Sequence, residues 1–393
     1  MGGYRGVRMS RGWLVLLYWL MVGGPWWLGC SSDDNRVNLK PGTVVVRIGS
    51  VAPLTGPQSH LGKDNENGAR LAIEEANRQN LMLGGHPAYF ELESEDDAAD
   101  PRTATVVAQR LADDGINGVV GHLNSGTTIP ASRVYADEGI PQVSPSATNP
   151  KYTHQGFETA FRVMANDEQQ GHALGYFTEA TLRAHRVAII DDATAYGQGL
   201  ADEFARVVRQ LGGQVVSREH TDDHSTDFLA ILTRIKAESP DLLFFGGMDA
   251  QGGPLLKQMR GLRVPALFLT GDGGCSREFY RLAGIAAEDS YCSLPGVPLD
   301  RMSAGREFRR RFNARFGEIE DYAPYSYDAV NVMIAAMRQA DSPLPSRYLP
   351  VLKHIHYTGV TSVISFDERG DLANAQVTLY RWHKGERVPV EHP

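Results

Sequence analysis

The residues of this chain best suited to chemistry are small hydroxyl-bearing side chains between Asn117 and Thr148, NGVVGHLNSGTTIPASRVYADEGIPQVSPSAT. Val119 and Val120 form an apolar run that breaks at Gly121 and gives way to Asn124, Ser125, Gly126, Thr127 and Thr128. Ile129 to Asp137 then carries apolar residues at helical intervals, and the next strand-like run ends at Ser144, Pro145, Ser146, Ala147 and Thr148. The segment predicts strand, polar loop, helix, strand and a second polar loop. Backbone amides at a helix start, joined by small hydroxyls, suit a carboxylate or phosphate. A single such loop would read as a helix cap. Two of them at the carboxyl ends of successive strands mark the place where open α/β sheets bind ligands. The chemistry is capture of a small anion, with no bond made or broken.

Other reactive side chains carry less. His220 and His224 flank Asp222 and Asp223, yet they fall in a polar loop and read as solvated surface rather than a metal site. Glu95, Asp96 and Asp97 imitate an acid/base pair at a charged strand end, with no nucleophile nearby in sequence. His354 and His356 alternate near a helix end. No HExxH, paired CxxC, GxSxG or GxxxxGK[ST] occurs, and Gly197-Gln198-Gly199 lacks the third glycine of a dinucleotide loop. No catalytic, metal or cofactor constellation is visible.

The elements that must position the hydroxyl loops alternate along the chain. Thr43 to Ser50 predicts a strand, and about Gly62 to Arg78 a helix with Ala69, Ala72, Ile73 and Ala76 on one face. Tyr89 to Glu95 is the next strand, and Pro101 opens a helix to about Leu111. The pattern restarts with a helix at Asp167 to Leu182 and a strand at Arg186 to Ile190, followed by a helix at Leu200 to Leu211. It continues through strands at Leu242 to Phe245, Ala266 to Thr270 and Ser290 to Leu294, with a helix at Gly253 to Arg260. Helices at Ala304 to Phe316, Ala323 to Ala340 and Tyr348 to His354 precede strands at Val363 to Phe366 and Val377 to Trp382. Strands separated by helices imply parallel sheets with right-handed crossovers. With 393 residues, 42% of them hydrophobic, two α/β units around a cleft are affordable. The net charge of -8 argues against nucleic acid as a partner.

The amino terminus predicts a leader. Arg5, Arg8 and Arg11 precede the apolar run Trp13 to Val22, and Gly23-Gly24-Pro25 interrupts it before Leu28-Gly29-Cys30. Residues 1–30 read as a secretory signal. Cys30 followed by Ser31-Ser32-Asp33-Asp34 resembles a bacterial lipobox, although Trp27 stands where Leu is usual. Acylation of Cys30 and a polar tether over 31–42 follow. Cys275 and Cys292 remain, and two leftover cysteines in an oxidising compartment often pair. A bridge would contribute about 3 kcal/mol if unstrained, and whether it forms turns on a distance the fold must supply.

The stretches LGKDNENGARLAIEEAN, DDAADP, VVGHLNSGTTIPAS, PSATNP, AYGQG, FFGGMD, TGDGG, LAGIAAE, YDAVN and ISFDERGDL together resemble a known family across nearly all of the mature chain. It is the periplasmic branched-chain amino-acid (leucine/isoleucine/valine-type) binding proteins of ABC importers. The resemblance implies a type I periplasmic binding protein fold: α/β, two doubly wound parallel-sheet lobes joined by three crossings. These would fall near Val163 to Asn166, Ser293 to Gly296 and Phe366 to Gly370. Residues 43–164 with 296–365 would form lobe 1, and 165–295 with 366–393 lobe 2.

The same resemblance implies roles. Ser125, with Gly126 beside it, would bind an α-carboxylate, and Thr148 would touch both carboxylate and ammonium. Ser146 would offer its carbonyl to the ammonium. Asp272 stands where an acidic ammonium partner is expected, often Glu in relatives. Tyr196 would approach from lobe 2, while Leu61 and Met248 replace frequent aromatics and make the side-chain pocket less aromatic. The implied function is an extracytoplasmic, lipid-anchored monomer that closes on a branched-chain or other neutral amino acid and delivers it to a permease and ATPase. No enzyme activity and no cofactor are implied. A sensing receptor of the same fold, or a binder of amides, urea or aromatic acids, is the alternative; an amidohydrolase would lack its nucleophile and base.

Overall fold

A computed structural model of the protein describes residues 39–390. The expected signal over 1–30, the acylated Cys30 and most of the tether over 31–42 lie outside the described residues. Among the described residues no helix is long and apolar enough to cross a membrane.

The strands are β1 (Val44–Ala52), β2 (Met82–Leu83), β3 (His86–Asp96), β4 (Gly118–Gly121), β5 (Gln142–Ser144), β6 (Ala160–Arg162), β7 (Arg186–Asp191) and β8 (Gln214–His220). They continue as β9 (Leu242–Gly246), β10 (Leu267–Thr270), β11 (Tyr291–Pro295), β12 (Tyr357–Thr358), β13 (Val363–Ile364), β14 (Val377–His383) and β15 (Glu386–Pro389). The helices are α1 (Ser59–Arg78), α2 (Pro101–Asp113), α3 (Ser125–Asp137), α4 (Lys151–His154), α5 (Asp167–Tyr176) and α6 (Ala195–Gln210). After them come α7 (Leu229–Ala237), α8 (Asp249–Gly261), α9 (Arg277–Ala283), α10 (Gly305–Phe316), α11 (Ala323–Gln339) and α12 (Pro345–Lys353).

Two large sheets carry the fold. The first runs β2-β3-β1-β4-β5-β6 and the second β15-β14-β11-β10-β9-β7-β8. The strand order of each reverses beside its first long strand, next to β1 and β7, which is where open sheets leave a crevice at their carboxyl ends. The inner strands are parallel, as their helical connections require. The edges depart from that expectation: β2 pairs antiparallel with β3, and β14 pairs antiparallel with both β11 and β15. Two-residue turns explain β2–β3 and β14–β15, because a hairpin needs two residues and a crossover helix a dozen; β11 and β14 are joined instead through the long segment 296–376.

The chain passes between the two sheets three times: after β6, after β11 and before β14. Between the second and third passages, α10, α11 and α12 return to pack against α1, β4 and β5. Gly68 of α1 permits one such approach, since a Cβ there would stand 2.2 Å from the Ala323 carbonyl of α11. The apolar face of α1 buries Leu61, Ala69, Leu71, Ala72, Ile73 and Ala76. Burying such side chains stabilises by about 1.5–3 kcal/mol each for the larger ones. Phe204 of α6 stacks on Phe244 of β9 with ring centroids 4.2 Å apart, fixing a helix on the second sheet. Cys275 and Cys292 form a disulfide with Cα atoms 5.4 Å apart, tying the segment after β10 to β11.

Several boundaries differ from the periodicity. α3 starts at Ser125, four residues before the apolar run, and α8 starts at Asp249 rather than Gly253. In both, polar or small residues make up the first turn, so the apolar period is silent there.

Candidate functional site

Every segment of interest leaves the carboxyl end of a parallel strand. On the first-sheet side β4 leads into the start of α3, and β5 leads into the loop 145–150. Asn124 precedes α3 without capping it through its side chain, in contrast to Asp100 before α2 and Thr194 before α6. The threonines turn inward instead: Thr127 Oγ1 and Thr128 Oγ1 donate to the Asn124 carbonyl at 3.0 and 2.7 Å. Neither threonine hydroxyl caps the start of α3, and the hydroxyl of Ser125 accepts from the Asn149 amide at 3.1 Å. That bond joins the two hydroxyl loops into one wall.

The second loop is braced from below. Ser146 Oγ donates to the Leu123 carbonyl at 3.1 Å and accepts from Asn65 Nδ2 at 3.2 Å, so its side chain is committed to the scaffold. Arg162, fully buried, donates to the carbonyls of Ala147 and Asn149 at 2.7 and 3.0 Å and to Asp371 Oδ1 at 2.6 Å. Burial pushes the Asp371 carboxyl up, but Arg162, Thr153 and Asn166 together hold it below its ordinary value. Thr148 is also fully buried, and its hydroxyl makes no hydrogen bond to the protein.

The second-sheet side presents acids. Asp272, in the turn Asp272–Gly274 after β10, accepts from Gln170 Nε2 at 3.0 Å, Tyr196 OH at 2.9 Å and Tyr322 OH at 2.8 Å. Burial raises its carboxyl above the ordinary value against the pull of those donors. Burial, then the Asp272 charge, pushes both tyrosine hydroxyls well above 10, so they stay protonated and donate. Asp167 begins α5, and its amide donates to the Thr148 carbonyl at 2.9 Å. Its carboxyl is fully buried, lies near Asp272 and is pushed up to about 8 by burial first and the Asp272 charge second. The Thr148 hydroxyl stands near it but too loosely for a hydrogen bond, and neither oxygen of Asp167 has a protein donor.

Met248 and Tyr196 flank the same turn. A Cβ on Gly273 would stand 2.7 Å from both Met248 Sδ and Tyr196 Cε1, and the Gly273 amide donates to Tyr196 OH at 2.8 Å. Leu61 is buried in an apolar cluster that also contains Leu123, Tyr196, Met248 and Tyr322. The structure therefore gathers Tyr196, Met248 and Asp272 on one wall and Ser125 and Thr148 on the other, with Asp167 linking them. Space beside Gly126 is open, and a Cβ on it would meet only Pro101 Cγ at 4.0 Å.

Sequence reasoning missed several residues that hold the two sides together. Tyr322 belongs to the first-sheet side, where Asp64 of α1 accepts the amides of Glu320, Asp321, Tyr322 and Ala323 at 2.7 to 3.0 Å. That anchor fixes the turn before α11 and sends the Tyr322 hydroxyl across to Asp272. Asn149 Nδ2 donates to the Ala195 carbonyl at the start of α6 at 2.6 Å, and Arg387 of β15 pairs with Asp321 at 2.7 Å. His60 of α1 meets Asp249 of α8 at 2.8 Å. Two cavities lie beside the passages between the sides: one of about 680 Å3 against Phe161 and Phe366, and one of about 780 Å3 against Met164, Pro295 and Tyr322.

Asp97 is buried and bonded to His122 Nδ1 at 2.8 Å, and His122 Nε2 reaches Tyr135 OH at 3.1 Å, a closed structural chain without a nucleophile. His220 bonds Asp191 at 3.0 Å, and His224 is exposed. Among the described residues no group of three or more His, Cys, Asp or Glu side chains is arranged to hold a metal.

The geometry has counterparts among known proteins. The model of the periplasmic binding protein family matches residues 45–387. The Leu/Ile/Val-binding protein homolog 1 of Brucella abortus is 36% identical over 341 residues, covering 86% of this chain and 91% of that protein. The crystal structure of a leucine-binding protein from Thermotoga maritima superposes with a TM-score of 0.82 at 26% identity, covering 88% of this chain and 98% of that one. A branched-chain amino-acid transporter substrate-binding protein from Streptococcus pneumoniae, solved with isoleucine, gives a TM-score of 0.78 at 25% identity over 88% and 100% of the two chains.

Proposed function

The chain belongs to the periplasmic binding protein family, and from that premise we propose that it is the solute-capturing component of an ABC importer for a branched-chain or other neutral amino acid. It is a binding protein and not an enzyme. Residues 43–164 with 296–365 make one lobe, 165–295 with 366–393 the other, and the solute sits between them.

Opposed chemistry on the two walls is the observation that supports this reading. The amides of Ser125 and Gly126 with the hydroxyls of Ser125 and Thr148 suit a carboxylate; Asp272 and Asp167 suit an ammonium group. A dipolar solute engages both walls only when the lobes are together, so binding favours the closed form by differential affinity. The carbonyl of Ser146 joins the ammonium set, and Tyr196, Met248 and Leu61 cover the apolar end. Names of the relatives point the same way: a Leu/Ile/Val-binding homolog, a leucine-binding protein and an isoleucine complex. Micromolar binding corresponds to roughly -8 kcal/mol, within reach of a few charge-assisted bonds plus apolar burial.

The leader and Cys30 extend the proposal: export, acylation at Cys30 and function as a monomer tethered to a membrane beside its permease and ATPase. The test is a thermal-shift and calorimetric screen of protein beginning after Cys30 against amino acids, small amides, urea and aromatic acids. Binding of a neutral α-amino acid is the expected result. Binding of an amide or aromatic acid with no response to any amino acid overturns the assignment.

A further inference from the structure

His60 lies in the first turn of α1, on the first-sheet side, and Asp249 opens α8 on the second. Their side chains meet at 2.8 Å although 189 residues separate them in sequence. Asp249 is fully buried; Ser276, which caps α9, donates to the same Oδ2, and Oδ1 has no protein donor. His60 keeps 24% of its side chain exposed. The bond spans the two sides.

We propose that His60 and Asp249 form a proton-linked latch: closing the cleft joins them, a proton on His60 strengthens the joint, and solute is held more tightly in acid than in alkali. The inference rests on the reading of the chain as a receptor that closes on its solute. Asp249 stands at the start of α8, the positive end of the helix dipole. Shutting the cleft strips its water. A neutral imidazole returns one hydrogen bond, whereas a protonated one returns a charge-assisted bond as well as the missing charge.

The surroundings of His60 set the sign. Burial alone would lower its pKa, but the hydrogen bond with Asp249 and the negative charges of Asp249, Glu320 and Glu278 outweigh burial and raise it above 6.5. These groups come from α8, from the turn before α11 and from α9; Glu278 itself is paired with Arg281. Parting the sides would take Asp249 and Glu278 away from His60, returning it toward its ordinary value. Its contribution to closure is therefore fully present below its ordinary value and fades as pH rises through the raised, closed-form value.

The test compares wild type with His60→Gln, which keeps a donor but cannot charge, and with Asp249→Asn, which keeps an acceptor but removes the charge. Isoleucine affinity is measured by calorimetry from pH 5.5 to 8.5, with small-angle scattering of ligand-free protein over the same range. Relative to His60→Gln, the wild type should lose affinity roughly three- to ten-fold across that range, and Asp249→Asn should follow the glutamine variant. Identical pH slopes in wild type and His60→Gln overturn the latch. If neither protein binds any amino acid, the solute reading fails separately. Scattering then decides the latch: a radius of gyration that grows with pH in wild type alone supports it, and equal behaviour in both refutes it.

Discussion

The hydroxyl of Tyr322, carried by the first-sheet side, donates to Asp272 Oδ2 of the second-sheet side at 2.8 Å. Asp64 secures the tyrosine through four backbone amides, and Gln170 and Tyr196 hold the aspartate. One rigid donor thus reports the presence of the opposite wall. Tyr322→Phe removes the bond and little else. Solute affinity should fall about ten-fold, the worth of one hydrogen bond to a charged group, while the melting temperature changes little. Calorimetry beside a thermal melt checks this; unchanged affinity would show that the contact does not contribute to closure.

Asp272→Ala should remove most affinity for an amino acid, by about 100-fold or more, because a buried ammonium would lose its charged partner. Ser125→Ala should weaken binding less, about three- to ten-fold, since the amides of the α3 start survive. Titrating both variants with the same amino acid tests the division. A larger loss at Ser125 than at Asp272 would contradict it.

Asp167 makes the ligand-free protein sensitive to alkali. Its folded-state value of about 8 lies above that of an unfolded chain, so it disfavours the fold increasingly as pH climbs from the ordinary carboxylate value to about 8. Asp167→Asn should flatten that decline and raise stability at pH 8 by about 1–3 kcal/mol, at the expense of binding. Denaturant melts at pH 5 and pH 8 measure it; a variant less stable than wild type at pH 8 contradicts the assignment.

The disulfide is separable from the site. Replacing Cys275 and Cys292 by Ser together should cost about 2–4 kcal/mol of stability and leave affinity within about two-fold. Denaturant unfolding with and without solute distinguishes the two effects. A large loss of affinity would place the bridge in the binding machinery.

Much of one wall was legible in the sequence because it is local. Ser125, Ser146 and Thr148 occupy contiguous loops at strand ends, where period and composition both change. Asp272 and Tyr196 were reached only through resemblance, since an acid in a Gly-rich turn ordinarily reads as turn chemistry. Tyr322, His60 and Asp249 were not legible, because their meanings arise from topology: each finds its partner 50 or more residues away in sequence. Asp167 was hidden differently. An acid in the first turn of a helix reads as a dipole partner in solvent, and only burial against Asp272 gives it a role. The antiparallel edge at β14 and β15 escaped the βα alternation; its signal was Lys384-Gly385, both with positive φ, in a tight hairpin.

The most direct test of capture between two opposed walls is calorimetry of protein beginning after Cys30 with leucine, isoleucine and valine, run in parallel with Asp272→Ala. The expected result is one-site binding at micromolar affinity or tighter, about -8 kcal/mol or more favourable, lost in the variant. No heat and no thermal shift with any α-amino acid, or undiminished binding by Asp272→Ala, would contradict it.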